Sequence, residues 1–329
     1  MNLPNSTGSP VTFRPLRDLD AATSIADIRS RCASPDGVDP SSTLEYVPSL
    51  AAQRANIAHA LEAEEQENWR LVEAGVEPVA CGTVTSWAET DSTTAYLSPG
   101  WVLPDWRNQG IGTALLRWAE DRARRLAALQ PNGGKAELAG NASETEVAAT
   151  ALLRDAGYEV AFTMVEMEHQ LLHHLDEPPL PDRIAIRPAG SEQFQAIGAS
   201  VAQSYHASRP HGRFDVSDTP DEYAQFLAGA EHDPTLWQAA WDGDQVAGQV
   251  LSVVERGRAE VFEVSVHPGW RRQGLARALL TRGLNVFYDR GVEIVRLHTQ
   301  AEHPDRASVL YESAGFRTLK RFSRYRKPL

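Results

Sequence analysis

Two short stretches of this chain carry residue types that hold phosphate. Arg107-x-x-Gly110-x-Gly112 and Arg271-x-x-Gly274-x-Ala276 each follow an apolar run and open a helix-forming one. Small residues let the backbone approach a ligand closely, and the free N–H groups of a first helical turn point at an anion with the helix dipole behind them. Just upstream of the second stretch, AEVFEVSV (259–266) sets two carboxylates, Glu260 and Glu263, among apolar neighbours. Burial raises a carboxylate pKa toward neutrality, which suits a general base.

Both loops need a strand before them and a helix after them, and the surrounding sequence supplies these twice. VTFRP (11–15) and IAIRP (184–188) read as opening strands. Helical, charged stretches follow at about 19–67 and 190–230. WRLVEAGVEPVACGTVTSW (69–87) and WQAAWDGDQVAGQVLSVV (237–254) are β-rich runs broken at Gly-containing turns, the pattern of hairpins. After each loop comes a helix, then a strand (KAELAG, 135–140; VEIVRLHTQ, 292–300), then a short helix ending in Gly plus an aromatic residue (ALLRDAGY, VLYESAGF). Last strands are expected around 160–168 and 318–326. The order β-α-α-β-β-β-α-β-α-β, written twice, predicts an α/β (α+β) fold class: two tandem units, each a mixed, mostly antiparallel sheet flanked by helices. The expected divisions are a disordered terminus at 1–10, a first domain at 11–168, a linker at 169–183 containing three prolines, and a second domain at 184–329. His169, His173 and His174 read as part of a polar connector, since nothing nearby completes a metal site.

The chain has 329 residues, enough for two cores. It is 42% apolar with a net charge of −12, which disfavours a nucleic-acid surface and is compatible with a cationic substrate. The sequence has no apolar run long enough for a membrane span and no signal-peptide pattern at its start. Its two cysteines, Cys32 and Cys81, lack metal-ligand spacing, which fits a reducing, cytoplasmic setting and no metal. The tryptophans near the strands are expected to pack in cores or interfaces.

Taken with Leu310-Tyr311 … Gly315-Phe316, the two Arg-x-x-Gly-x-Gly/Ala loops resemble the acyl-CoA pyrophosphate loop and the LY-x-x-x-GF block of GNAT N-acetyltransferases. The resemblance covers nearly the whole chain as two tandem units. It implies direct transfer of an acetyl group from acetyl-CoA to a primary amine. Arg271, Arg272, Gln273, Gly274, Leu275, Ala276 and Arg277 would wrap the pyrophosphate, and the backbone of Val264, Ser265 and Val266 would pair with the pantetheine. In the first unit Val102, Leu103, Arg107, Asn108, Gln109, Gly110, Ile111, Gly112 and Thr113 would do the same. Glu260 stands eleven residues before Arg271, a spacing at which family members place a catalytic glutamate. Glu263 has the opposite parity on an ideal strand, and a bulge of the kind common in the family would bring it toward the cleft. Tyr311 stands where the family's tyrosine reaches the sulfur, and a phenol can protonate a departing thiolate. The chain departs from the family at Pro304, where Asn is common; His303 and Arg306 are the nearby polar substitutes.

In the first unit the matching positions hold Tyr96 for Glu260, Pro99 for Glu263 and Leu153 for Tyr311. Base and acid are lost together while the loop remains, so catalysis is expected in the second unit, beside a catalytically degenerate first. Tyr205, His206, Arg209, His211, Arg213, Phe214 and Asp215 form the expected acceptor-side stretch for a small-molecule amine. No nucleic-acid or membrane partner is expected, and the protein would be a monomer or homodimer. Two other readings stay open: a non-catalytic acyl-CoA-binding sensor or assembly protein, and an enzyme acetylating a protein or peptide.

Overall fold

In the computed structural model, described residues are all except 1, 5–9, 46, 90, 131–133, 209–219, 230–231, 256 and 303–305, together with the side chains of 2–4, 10, 206–208 and 220–222. The strands and helices in chain order are β1 (Asn2–Pro4), β2 (Pro10–Arg14), α1 (Ala21–Ala33), α2 (Leu50–Glu62), β3 (Trp69–Ala74), β4 (Glu77–Thr83), β5 (Thr85–Ala88), β6 (Thr94–Leu97), β7 (Gly100–Val102), α3 (Ile111–Ala128), β8 (Ala136–Ser143) and α4 (Val147–Asp155). They continue with β9 (Glu159–Gln170), β10 (Ile184–Pro188), α5 (Phe194–Ser208), α6 (Pro220–Leu227), β11 (Gln238–Asp242), β12 (Gln245–Glu255), β13 (Arg258–Val266), α7 (Leu275–Asp289), β14 (Ile294–Gln300), α8 (Ala307–Ser313) and β15 (Arg317–Pro328).

The chain forms two compact units. Unit 1 is Met1–Ala161 with Phe322–Leu329, and unit 2 is Phe162–Arg321. These limits differ from the expected division at 169–183. The strand following the first repeat pairs with β14 in unit 2, Met164 opposite Gln300 and Gln170 opposite Ile294. The strand following the second pairs with β8 in unit 1, Phe322 opposite Ser143 and Pro328 opposite Glu137. Each repeat therefore closes the other repeat's sheet. Both sheets offer an equivalent closing slot, and local residue pattern does not distinguish them.

The expected connector is correspondingly shorter. His169 lies on β9, buried, with its ring edge-on to Phe316 at 5.2 Å. Beyond it, Leu175 is held at both backbone groups by the Asn285 amide, at 2.8 and 2.9 Å. At the other end, the expected disordered terminus contains β1, which pairs Asn2–Pro4 with Pro10–Thr12.

In unit 2 the strands run β10-β11-β12-β13-β14-β9, antiparallel except between β13 and β14. Helix α7 buries Leu280, Leu284 and Phe287, spaced by four and three residues, together with Leu275 and Leu279, four apart. Each such side chain contributes about 1.5–3 kcal/mol of burial. Gly283 lets α7 approach β12 closely, because an added Cβ there would meet Val250 at 3.1 Å. The buried side chains Trp237, Val250, Leu279 and Phe287 belong to one continuous core.

Unit 1 follows the same order with two interruptions. Its central strands break into β4/β5 and β6/β7, so that β4 and β7 stay with β1-β2-β3 while β5 and β6 pair toward β8. Pro99 sits at the second break. It has no N–H to give a ladder, and its carbonyl accepts instead from Thr83 N–H at 3.0 Å.

Candidate active site

Both phosphate-type loops fold as strand, short turn and helix. Gly110 and Gly274 occupy the position before α3 and α7 with φ of 80° and 83°. Here only glycine avoids left-handed strain, and an added Cβ would meet nothing within 4 Å, so the requirement is conformational rather than spatial. Two residues earlier Asn108 and Arg272 also take positive φ, 60° and 63°. This backbone turns the N–H groups of Leu275, Ala276 and Arg277 outward at the start of α7, where no intrahelical partner exists for them. Ile111, Gly112 and Thr113 stand likewise on α3.

The arginines that open each loop are bonded within the fold. Arg271 donates Nε to Val266 O at 3.0 Å and a terminal nitrogen to Ser204 O at 2.9 Å. Arg107 repeats the first contact on Val102 O at 3.0 Å and grips Asp36 with two bonds of 2.7 and 2.8 Å. Both guanidinium groups tie the end of the strand to the loop. Arg272 and Arg277 are exposed and carry the positive charge at the mouth of unit 2's loop.

The strand β13 contains a bulge. Ser252 lies opposite Val261 and Leu251 opposite Glu263, which leaves Phe262 as an extra residue. Opposed residues on antiparallel strands share a face. Glu260, opposite Val253, and Glu263, opposite Leu251, therefore point to the same side of the sheet, the side of α5. Parallel pairing between β13 and β14 spans Ala259–Val295 and Glu260–Arg296. Past that point the two strands diverge, and the backbone of Val264, Ser265 and Val266 keeps its ladder to β12 alone among the described residues. A slot with one strand edge open is the geometry an extended amide-containing chain would fill.

The two glutamates have different surroundings. Glu263 is buried and its Oε2 accepts from Tyr205 on α5 at 3.0 Å. Its Oε1 has no hydrogen-bond partner among the described residues. Burial pushes its carboxyl up to about 7, against the lowering pull of Ser265 and Tyr205. Glu260 bonds His298 Nδ1 of β14 at 3.0 Å; its own side chain is 12% exposed and that of His298 30%. Tyr311 is buried on α8, and burial together with the Glu263 charge raises its phenol pKa. It is protonated at neutral pH and lies close enough to Glu263 to feel its charge. The Glu263 charge is also the main cause of the raised phenol pKa of Tyr205, while burial is the main cause for Tyr223 on α6.

An aromatic group absent from the sequence reading lines the same region. Phe262, the bulged residue, meets Phe226 at 6.1 Å, His232 at 5.5 Å and Trp237 at 6.4 Å. No spacing in the sequence relates these residues; only the folding of α6 onto β13 does. His298 was missed for the same reason. Of the expected acceptor stretch, Tyr205 reaches the site. Arg209, His211, Arg213, Phe214 and Asp215, with the side chain of His206, lie outside the described residues, as do His303 and Pro304. Arg306 begins α8 in a left-handed conformation, φ 54°. No metal-binding group of histidine, cysteine and acidic residues occurs among the described residues, and no helix among them is long and apolar enough to cross a membrane.

Unit 1 has a similar parallel pairing. Tyr96 pairs Leu138 across β6 and β8 as Glu260 pairs Arg296 across β13 and β14. Tyr96 and Leu153 are buried, at 1% and 6% exposure.

Comparison with known proteins bears on both halves. The profile of the Acetyltransferase (GNAT) family matches residues 25–136 and 199–316. A mycothiol acetyltransferase of Catenulispora acidiphila is 27% identical over 305 residues, 89% of this chain and 91% of that protein. One from Clavibacter michiganensis is 31% identical over 154 residues, 46% of this chain and 49% of that protein. Among solved structures, a GCN5-related N-acetyltransferase from Sphaerobacter thermophilus superposes with a TM-score of 0.73 at 24% identity, covering 97% of this chain and 95% of that one. A tandem GNAT protein from the clavulanic acid biosynthesis pathway does so with a TM-score of 0.65 at 15% identity, covering 97% and 98%. With a glycine-turned loop in each half and a family match to each half, this chain belongs to the GNAT acetyltransferase family as a tandem acyl-CoA-dependent N-acyltransferase.

Proposed function

We propose that unit 2 transfers an acetyl group from acetyl-CoA directly to a primary amine of a small molecule, and that unit 1 does not perform transfer. The observation that carries this reading is the gathering of Glu260, Glu263 and Tyr311 around one slot in unit 2, against Tyr96, Pro99 and Leu153 in unit 1. The first-turn N–H groups of α7, with Arg272 and Arg277, would hold the pyrophosphate. The open edge of Val264–Val266 would pair with the pantetheine, and an N–H past the bulge would face the oxyanion.

The incoming amine is protonated at neutral pH and must lose a proton before it attacks. Glu260 is the more accessible carboxylate, and His298 beside it can pass the proton to solvent. The lone pair of the amine then forms the new C–N bond, the tetrahedral intermediate collapses, and the C–S bond breaks as Tyr311 donates its proton to the sulfur; the extra proton left on the nitrogen is released as the amide forms and restores the Tyr311 phenol. One observation favours Glu263 as base instead: its carboxyl titrates at about 7 and has an oxygen without a partner.

The acceptor is an amine whose positive charge suits the Glu260–Glu263 face and whose body suits the aromatic group of Phe226, His232 and Phe262. The relatives' name makes a mycothiol precursor the first compound to try. Coenzyme A release measured over a panel of small amines and peptides tests the reading. Activity on small amines that falls by about 100-fold or more in Tyr311→Phe and in one of Glu260→Gln or Glu263→Gln supports it. Full activity in all three variants overturns it, and activity on peptides alone would move the acceptor to a protein.

A further inference from the structure

Unit 1 encloses a cavity of about 570 Å³, within the usual range for a small-molecule site. One end is the loop of Asn108, Gly110 and Thr113; another part of its wall is formed by Asn141, Ser143 and Arg324. Arg324 comes from the C-terminal strand, in register with Asn141 on β8. The other charged side chains of this wall are engaged. Asp36 holds Arg107, Glu45 accepts from Asp39 N–H, Glu146 accepts from Ser143 N–H, and Arg29 bonds Gln53 and lies over Trp101. The neighbours of Arg324 on its strand are paired too, Arg326 with Glu89 and Lys327 with Glu120. Among the described charged residues of this wall Arg324 alone makes no hydrogen bond or ion pair through its side chain. Glu146 acts on it through space only. Loss of solvent, with the nearby Arg326 charge, lowers its pKa to about 10, so it keeps its charge at neutral pH.

The two closing strands differ in charge. Glu166 on β9 lies opposite His298 and 3.9 Å from Arg296, whereas Arg324 on β15 lies opposite Asn141, an uncharged amide. Arg324 is part-buried, and a guanidinium in that setting gains from an anionic partner. A guanidinium presents a planar fork that fits a carboxylate with two parallel bonds.

We propose that unit 1 is a binding site for an organic carboxylate, whose anionic group is taken by Arg324 with Asn141 beside it. The carboxylate belongs either to a free small acid or to the far end of a dicarboxylic acyl thioester lying along the same cavity from the loop. The inference does not depend on which unit performs transfer.

The test uses the full-length protein. Binding of succinate, its neutral isostere succinamide, succinyl-CoA and acetyl-CoA is measured by calorimetry on wild type, Arg324→Gln and Arg324→Lys. The expected result is that succinate or succinyl-CoA binds at least tenfold more tightly than its uncharged or monoacyl counterpart. That preference should disappear in Arg324→Gln and persist in part in Arg324→Lys. A gain with succinate itself identifies a free acid; a gain with succinyl-CoA alone identifies the thioester. Equal binding of charged and neutral ligands by wild type overturns the proposal, even if the variants fail to fold. So does a preference that survives in a folded Arg324→Gln.

Discussion

At the scale of single residues, the site rests on how burial treats two carboxylates three positions apart. Glu263 has lost solvent and gained a tyrosine donor, so its proton is held to about pH 7. A folded-state pKa above the unfolded value of 4.5 means that folding favours the protonated form. Stability is then fullest below pH 4.5 and falls as pH rises toward about 7, by about 3 kcal/mol at most for that difference. Glu263→Gln should remove this decline, leaving the variant more heat-resistant than wild type at pH 8 and little changed at pH 4. Thermal melts across that range check it. A carboxylate that also serves as base would give the wild-type rate a limb near pH 7, and Glu263→Gln would erase that limb. If Glu260 is the base, the limb survives in Glu263→Gln and the large loss of kcat appears in Glu260→Gln.

At the scale of elements, each loop depends on one left-handed glycine and one arginine strap. Gly274→Val places a branched residue at φ 83° with no clash to relieve, so the cost is backbone strain of about 1–2 kcal/mol and a displaced first turn of α7. The expected outcome is a KM for acetyl-CoA raised at least tenfold with kcat reduced less. Calorimetric stoichiometry on Gly274→Val and Gly110→Val tells whether unit 1 also holds acyl-CoA: one site lost by each variant means two binding units, and loss by Gly274→Val alone means one. The arginine strap predicts a different signature. Arg271→Gln frees Val266 O and Ser204 O and should lower the melting temperature as well as affinity, whereas Arg277→Gln, exposed at the mouth, should weaken acetyl-CoA binding with the melting temperature unchanged.

At the scale of the whole molecule, the closing strands make the two units depend on each other's sequence. Residues 322–328 fill the slot beside β8, with Phe322 and Tyr325 buried at 2% and 1%. Removing 322–329 should uncover the β8 edge, lower the unfolding temperature of unit 1 and promote association through that edge, while unit 2 retains its β14–β9 pairing. Differential scanning calorimetry with size-exclusion chromatography reads both effects. A truncated chain that melts as wild type would show that the exchanged strand adds nothing to unit 1.

Much of this was legible in the residues themselves. The tandem order of elements, the glycine turns before α3 and α7, and the burial of the strands follow from local rules: periodicity, helix starts and the φ that glycine alone tolerates. The candidate residues Glu260, Glu263 and Tyr311 were legible as well, because the repeat exposes what one copy has and the other lacks. Whether Glu263 shares the face of Glu260 was not settled there, since a one-residue bulge reverses every side chain beyond it and the pattern AEVFEVSV fits either parity. The pairing of Glu260 with His298, the aromatic group around Phe262 and the unpaired Arg324 depend on side chains far apart in sequence, and local patterns carry no information about them. The exchange of closing strands is the clearest case. The strands after the two repeats fit equivalent slots, so the sequence determines that each sheet will be closed, and only the tertiary structure decides by which strand.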